Sequence, residues 1–210
     1  MNDNGNPGSL FVIVAPSGAG KTSLVRGLLE NEPDVRLSVS FTTRAPRPGE
    51  RDGIDYRFVT VSEFESRRAE GEFLEWARGH DNLYGTSRAW IESQMGAGQD
   101  IILEIDCQGA TQVKRLYPDA VGIFIAPPSI EELARRLRAR AQDSESVIER
   151  RINAAQAELA QADHFEYVII NQHFGDALEQ LRALVRAARL RFSRQRARHP
   201  EVFSQLRLVR

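Results

Sequence analysis

Residues 10–22 read LFVIVAPSGAGKT, and this stretch decides the fold. Its first six residues are an unbroken apolar run rich in β-branched side chains, the pattern of a strand buried on both faces of a parallel sheet. The turn that follows is Ala15-Pro16-Ser17-Gly18-Ala19-Gly20-Lys21-Thr22. Gly18 and Gly20 let the backbone curl so that successive N–H groups point inward, and the helix beginning at Lys21 adds the positive end of its dipole. This is the build of a P-loop: Lys21 can reach the β- and γ-phosphates of a nucleotide, and the Thr22 hydroxyl can ligate Mg²⁺. The general pattern has a glycine where this chain has Ala15. Lysine is scarce, with only Lys21 and Lys114 among the 28 basic residues, so a lysine at the head of this helix is not compositional background.

Working outward, residues 21–30 carry Leu24, Val25, Leu28 and Leu29 at helical spacing and are closed by Pro33. Three more buried-type strands are predicted at residues 101–106 (IILEID), 121–126 (VGIFIA) and 167–171 (YVIIN), each after a helical pattern. Such alternation predicts an α/β, P-loop NTPase fold with a parallel core sheet of about five strands. Ser129 and Glu132 predict a capping box ahead of a helix holding Leu133 and Leu137. Ile148, Ile152, Ala155 and Leu159 make a second stripe, and Leu178, Leu181, Val185, Ala188 and Phe192 a third. Residues 36–86 look different: short alternating stretches and turn chemistry at Pro46, Pro48, Gly49 and Asp52-Gly53 predict a β-rich insert over the strand ends.

The chain has 210 residues, 41% of them apolar, which suits one domain with a real core. A formal net charge of −1 supplies no global field for nucleic acid or an anionic membrane. The arginine-rich stretch 186–210 keeps an apolar stripe and lacks an aromatic platform, favouring a packed helix over RNA binding. Cys107 is the sole cysteine, and residues 1–9 are polar with no apolar signal core, so a reducing cytoplasm is the expectation. No apolar run approaches the roughly 20 residues needed to span a bilayer. Cys107 reads as a small buried side chain rather than a redox group.

A P-loop alone does not name the acceptor. Residues 38–50 (SVSFTTRAPRPGE), followed by Asp55-Tyr56, place two arginines, a tyrosine and several hydroxyls in a segment shaped by glycine and proline. Together with EFLEW (72–76), YGT (84–86), EIDCQG (104–109) and VIIN (168–171), in this order and over nearly the whole chain from Ser9, the sequence resembles the guanylate kinase family.

The resemblance implies ATP and GMP (with dGMP) as substrates, Mg²⁺ as cofactor, and direct in-line phosphoryl transfer without a covalent intermediate. It implies that Arg44 and Arg47, with the hydroxyls of Tyr56 and Tyr84, clamp the GMP phosphate, and that Ser40, Glu75 and Thr86 read guanine. Asp106 lies close by, and its own chemistry leaves open a contact to guanine or to the Mg²⁺ shell. Guanidinium forks suit a phosphate dianion, and a carboxylate suits adjacent N–H donors. By the same resemblance Arg136, Arg140 and Arg151 belong to a lid that closes over ATP, with Ala141 where a glycine is usual. The implied division is a tail at 1–8, a core at 9–35, 98–128 and 163–210, a mixed β GMP-binding insert at 36–97 and a helical lid at 129–162. Bacterial members suggest self-association. Two other readings weigh less, a non-catalytic binding module and a P-loop kinase for another phosphorylated acceptor, because Lys21, Thr22, Arg44, Arg47 and Glu75 are all present.

Overall fold

The computed structural model describes residues 8–79, 81–139 and 144–208. Along the chain, β1 (Leu10–Val14) leads through the P-loop into α1 (Lys21–Asn31) and β2 (Val35–Leu37). Next come β3 (Phe41–Thr42), β4 (Arg57–Phe58), α2 (Val61–Ala69), β5 (Phe73–Gly79), β6 (Asn82–Ser87) and α3 (Arg88–Gly96). The chain continues with β7 (Asp100–Glu104), α4 (Cys107–Leu116), β8 (Val121–Ala126), α5 (Ile130–Ala139) and α6 (Glu145–Leu159), and finishes with β9 (Tyr167–Ile170), α7 (Phe174–Arg189), α8 (Phe192–Arg198) and α9 (Pro200–Gln205).

Five strands form one sheet in the order β2-β7-β1-β8-β9, every pairing parallel. Central β1 is buried on both faces, as its composition requires. Phe11 and Ile13 pack with Leu24, Leu28, Leu181 and Val185 of α1 and α7. Leu10, Val12 and Val14 pack with Ile91, Leu103 and Val113 toward α3 and α4. The fifth strand, β2, is only three residues long, and the expected boundary between core and insert at residues 35 and 36 runs through it. Because the strands are parallel, β1 and β7 deliver the P-loop and Glu104 to the same end of the sheet.

The insert holds a separate four-stranded mixed sheet, β4-β3-β6-β5. It also contains α2, not foreseen in a β-rich reading, which begins at a full capping box between Thr60 and Glu63. Phe64 of α2 stacks on Phe73 with ring centroids 4.5 Å apart, anchoring the helix to this sheet. Between Phe73 and Glu75 the register of β5 shifts by one residue, so that Leu74 and Glu75 are both buried in succession; such a bulge re-aims side chains.

Helices α5 and α6 pair through Leu133, Leu137, Ile148 and Ala155. The capping box expected at Ser129 and Glu132 is half formed: Ser129 Oγ accepts the Glu132 N–H at 3.1 Å. The Glu132 carboxylate instead takes Arg135 and Arg136, charged donors that outcompete a backbone amide. The α7 stripe ends at Ala188, and Phe192 starts a new helix 58% exposed. Arg182, Arg186 and Arg189 of α7 converge on buried Glu32 at the end of α1. Gly8, assigned to the tail by sequence, is buried and donates its N–H to Met95 O at 2.8 Å. Among the described residues no helix is long and apolar enough to cross a membrane.

Candidate functional site

The P-loop curls where glycine permits it. Gly18 and Gly20 take φ of 92° and 95°, in the left-handed region that side chains avoid. Ala15 is not among the residues with positive φ, so the glycine usual there is not needed for conformation. Gly20 is constrained twice, since a Cβ there would sit 2.3 Å from Asn171 Nδ2. That amide donates to Ala19 O at 2.7 Å, tying the loop to the end of β9. Lys21 Nζ donates to Ile105 O at 3.1 Å. Burial lowers the Lys21 pKa, opposed by the nearby Glu104, Glu158 and Asp106 carboxylates.

Thr22 Oγ1 donates to Glu104 Oε1 at 2.6 Å. Glu104, the last residue of β7, lines the site beside Thr22 and was not among the site residues expected from sequence; the signal was an acid ending a buried strand. A hydroxyl and a carboxylate side by side are hard oxygen donors of the kind Mg²⁺ takes.

A cavity of about 350 Å³ opens beside the loop and joins both halves of the expected site. Ala15 and Lys21 line it from the loop, and Ser40, Tyr56, Glu75 and Tyr84 from the insert, with Asp106 between them. Glu75 is 3% exposed. Its Oε1 accepts from Thr86 Oγ1 at 2.6 Å, placing Thr86 behind the carboxylate. Burial, reinforced by Asp106 and countered by Thr86, pushes the Glu75 pKa up to about 7. Its Oε2 approaches Gly109 so closely that a Cβ there would lie 2.5 Å away. Gln112 of α4 pins the strand, accepting from Trp76 N at 3.2 Å and donating to Trp76 O at 2.7 Å. Asp106 caps α4, its Oδ1 accepting the Gly109 N–H at 2.8 Å. Cys107, the next residue, has its thiol pKa raised to about 11, chiefly by burial, and is inert by that measure.

Arg44 does not itself line the cavity but stands behind Tyr56, its guanidinium 5.3 Å from the Tyr56 ring centroid, and the Tyr56 and Tyr84 rings, which do line it, meet edge-on at 6.1 Å. Glu50 holds Arg44 through Nη2 at 2.9 and 3.0 Å, a restraint that sequence reasoning did not assign. Arg47 is exposed, and its backbone N–H donates to Glu50 Oε2 at 2.7 Å. Thus Tyr56, Tyr84 and Arg44 are brought together, while Arg47 is exposed and does not line the cavity.

The helix pair docks on the loop itself. A Cβ at Gly18 would lie 3.0 Å from both Leu133 Cδ1 and Leu137 Cδ2. Arg136 donates to Asn171 O at 2.9 Å and to Ala19 O at 3.5 Å, and Arg151 donates to Ser17 Oγ. Neither guanidinium lines the cavity, whereas Glu158 of α6 does. Arg140 and Ala141 lie outside the described residues.

Residues 8–188 match the family model described as guanylate kinase. The chain is 57% identical over 199 residues to the guanylate kinase of Dechloromonas aromatica, spanning 95% of this chain and 98% of the relative. It is 56% identical over 200 residues to that of Aromatoleum aromaticum, with the same coverage. Among solved structures, guanylate kinase from Anaplasma phagocytophilum has a TM-score of 0.75 at 32% identity, covering 92% of each chain. Since the match runs through the P-loop, the second sheet and the helix pair alike, the chain belongs to the guanylate kinase family.

Proposed function

We propose that the cavity performs this family's reaction, transfer of the γ-phosphate of ATP to GMP, by laying the two nucleotides end to end between the P-loop and the four-stranded sheet. One observation carries the reading: Lys21 and the buried carboxylate of Glu75 line the same cavity. The P-loop, residues 15–22, holds the donor phosphates, and Lys21 meets the charge of the transferring group. Ser40, Glu75 and Thr86 read guanine, whose N1–H and 2-amino group are adjacent donors for one carboxylate. Arg44, Arg47, Tyr56 and Tyr84 clamp the acceptor phosphate. Asp106 caps α4 and, lining the same cavity, serves either guanine or the Mg²⁺ shell. Thr22 and Glu104 would hold Mg²⁺, which supplies charge neutralisation at the phosphates when bound. GMP phosphate is already an anion, so no general base is required.

Residues 36–97 therefore serve as the acceptor-binding region and 129–162 as the lid, whose Arg136, Arg140 and Arg151 close over the donor and exclude water. The α7 arginines hold Glu32, which supports a structural rather than an RNA-binding role for that helix.

A coupled assay with ATP, Mg²⁺ and a panel of nucleoside monophosphates tests the reading. GMP should be the best acceptor, dGMP weaker, and AMP, CMP and UMP poor; comparable turnover of AMP overturns it. Arg44→Ala should raise KM for GMP and lower kcat, each by roughly tenfold, because the fork orients the acceptor oxygen as well as binding it. A change confined to the ATP parameters would mean that Arg44 serves the donor.

A further inference from the structure

The first residues of α4, Cys107 and Gln108, line the catalytic cavity, and buried Gly109 follows them. A glycine is a poor choice there on local grounds. Alanine is the better helix former, and Gly109 is not among the residues with positive φ, so the backbone makes no demand that only glycine meets. Space makes the demand instead: a Cβ at this position would lie 2.5 Å from Oε2 and 3.2 Å from Cδ of Glu75, with Ile105 Cδ1 at 3.3 Å. We infer that Gly109 is a positioning residue for acceptor recognition, its bare Cα forming the seat against which the Glu75 carboxylate lies when it meets guanine. The inference rests on the role proposed above for Glu75.

The seat matters because everything around the carboxylate is fixed. Glu75 is buried, and its Oε1 is held by Thr86 Oγ1 at 2.6 Å. Strand β5 cannot retreat from α4, since Gln112, one turn further along the helix, bonds both the N–H and the C=O of Trp76, the next residue after Glu75. The helix is held as well, because the Gly109 N–H donates to Asp106 Oδ1 at 2.8 Å in the cap of α4.

The open space beside Glu75 is the cavity that it lines. A methyl group at position 109 therefore drives the carboxylate away from Thr86 and toward the acceptor base. Two adjacent guanine N–H donors need a carboxylate in line with both, and hydrogen bonds weaken steeply as that alignment is lost. The donor side is spared, because the three atoms nearest such a Cβ belong to Glu75 and Ile105 and none to the P-loop. Gly109 thus acts through Glu75, on the choice and affinity of the acceptor.

Gly109→Ala tests this, made both in the wild-type chain and in the Glu75→Ala variant. In the wild-type chain it should raise KM for GMP by about tenfold or more and lower the GMP-over-AMP ratio of kcat/KM by a similar factor, with KM for ATP changed by less than about twofold. Thermal melts of the four unliganded proteins supply a readout free of substrate. With Glu75 truncated, the added methyl group meets no carboxylate and the helix preference for alanine stands alone. Gly109→Ala should therefore raise the melting temperature in the Glu75→Ala chain, by at least about 2 °C more than in the wild-type chain. Equal changes in the two backgrounds overturn the seat, and an unchanged KM for GMP beside unequal melts overturns the positioning role. Wild type that turns over AMP as well as GMP removes the guanine reading and the inference with it, an outcome told apart from a failed seat because the melts stay unequal.

Discussion

Lys21→Ala is expected to lower kcat by about 10²-fold or more at saturating ATP and GMP. The ammonium sits at the start of α1, held by Ile105 O beside the acids of the cleft, so its charge is oriented before substrate arrives. A preorganised charge stabilises the transferring phosphoryl group without reorganisation during the reaction, and losing one such group costs a few kcal/mol of barrier. The fold should survive. Because burial lowers the Lys21 pKa, the folded protein carries that charge at a cost, and alanine should leave the melting temperature unchanged or raise it. Steady-state rates with a thermal melt on the same sample separate the two effects. A kcat within threefold of wild type would show that the loop is not the donor site.

Glu75→Gln should reduce kcat/KM for GMP by roughly 10²-fold, about 2.7 kcal/mol, while AMP turnover changes far less. The amide puts an N–H₂ against one of two guanine donors, whereas adenine presents a lone pair at N1 and has no 2-amino group. An unchanged ratio of kcat/KM for GMP over AMP would make Glu75 structural. The same variant carries a stability signature of opposite sign. With a folded pKa near 7 against an ordinary 4.5, the folded protein binds more protons than the unfolded chain between those values. The stability from this group is fully present below pH 4.5 and lost as pH rises through about 7, a loss on the order of 3 kcal/mol. Glutamine does not titrate, so the unliganded variant should gain in melting temperature relative to wild type between pH 5 and pH 8. Over the same interval wild-type KM for GMP should fall as the carboxylate forms. A melting difference independent of pH would place the Glu75 titration elsewhere.

What could be read from sequence was chemistry that is local in the chain. Gly18, Gly20, Lys21 and Thr22 announce a phosphate cradle within five residues, and β1 announces two-sided burial by composition alone. The misses are properties of pairs of segments. Strand β2 has no apolar run, since only Val35 is fully buried. The bulge beside Glu75 is a relation between β5 and β6, invisible in either strand alone. The Thr22 to Glu104 bond depends on β7 settling beside β1, and the Arg44 to Glu50 bond on a turn shaped by Pro46, Pro48 and Gly49. Helix α2 did carry a signal, Thr60 three residues before Glu63, but it was masked by the turn-rich sequence ahead of it.

Ala19 O accepts from Asn171, which belongs to the sheet, and from Arg136, which belongs to the helix pair. Under the lid reading these two restraints belong to parts that move differently. A lid motion of the helix pair, as proposed, would break the bonds of Arg136 to Ala19 O and of Arg151 to Ser17 Oγ together and leave the Asn171 bond in place. With that one bond kept, the P-loop would hold its curl between substrates, and a new nucleotide would meet a finished receptor.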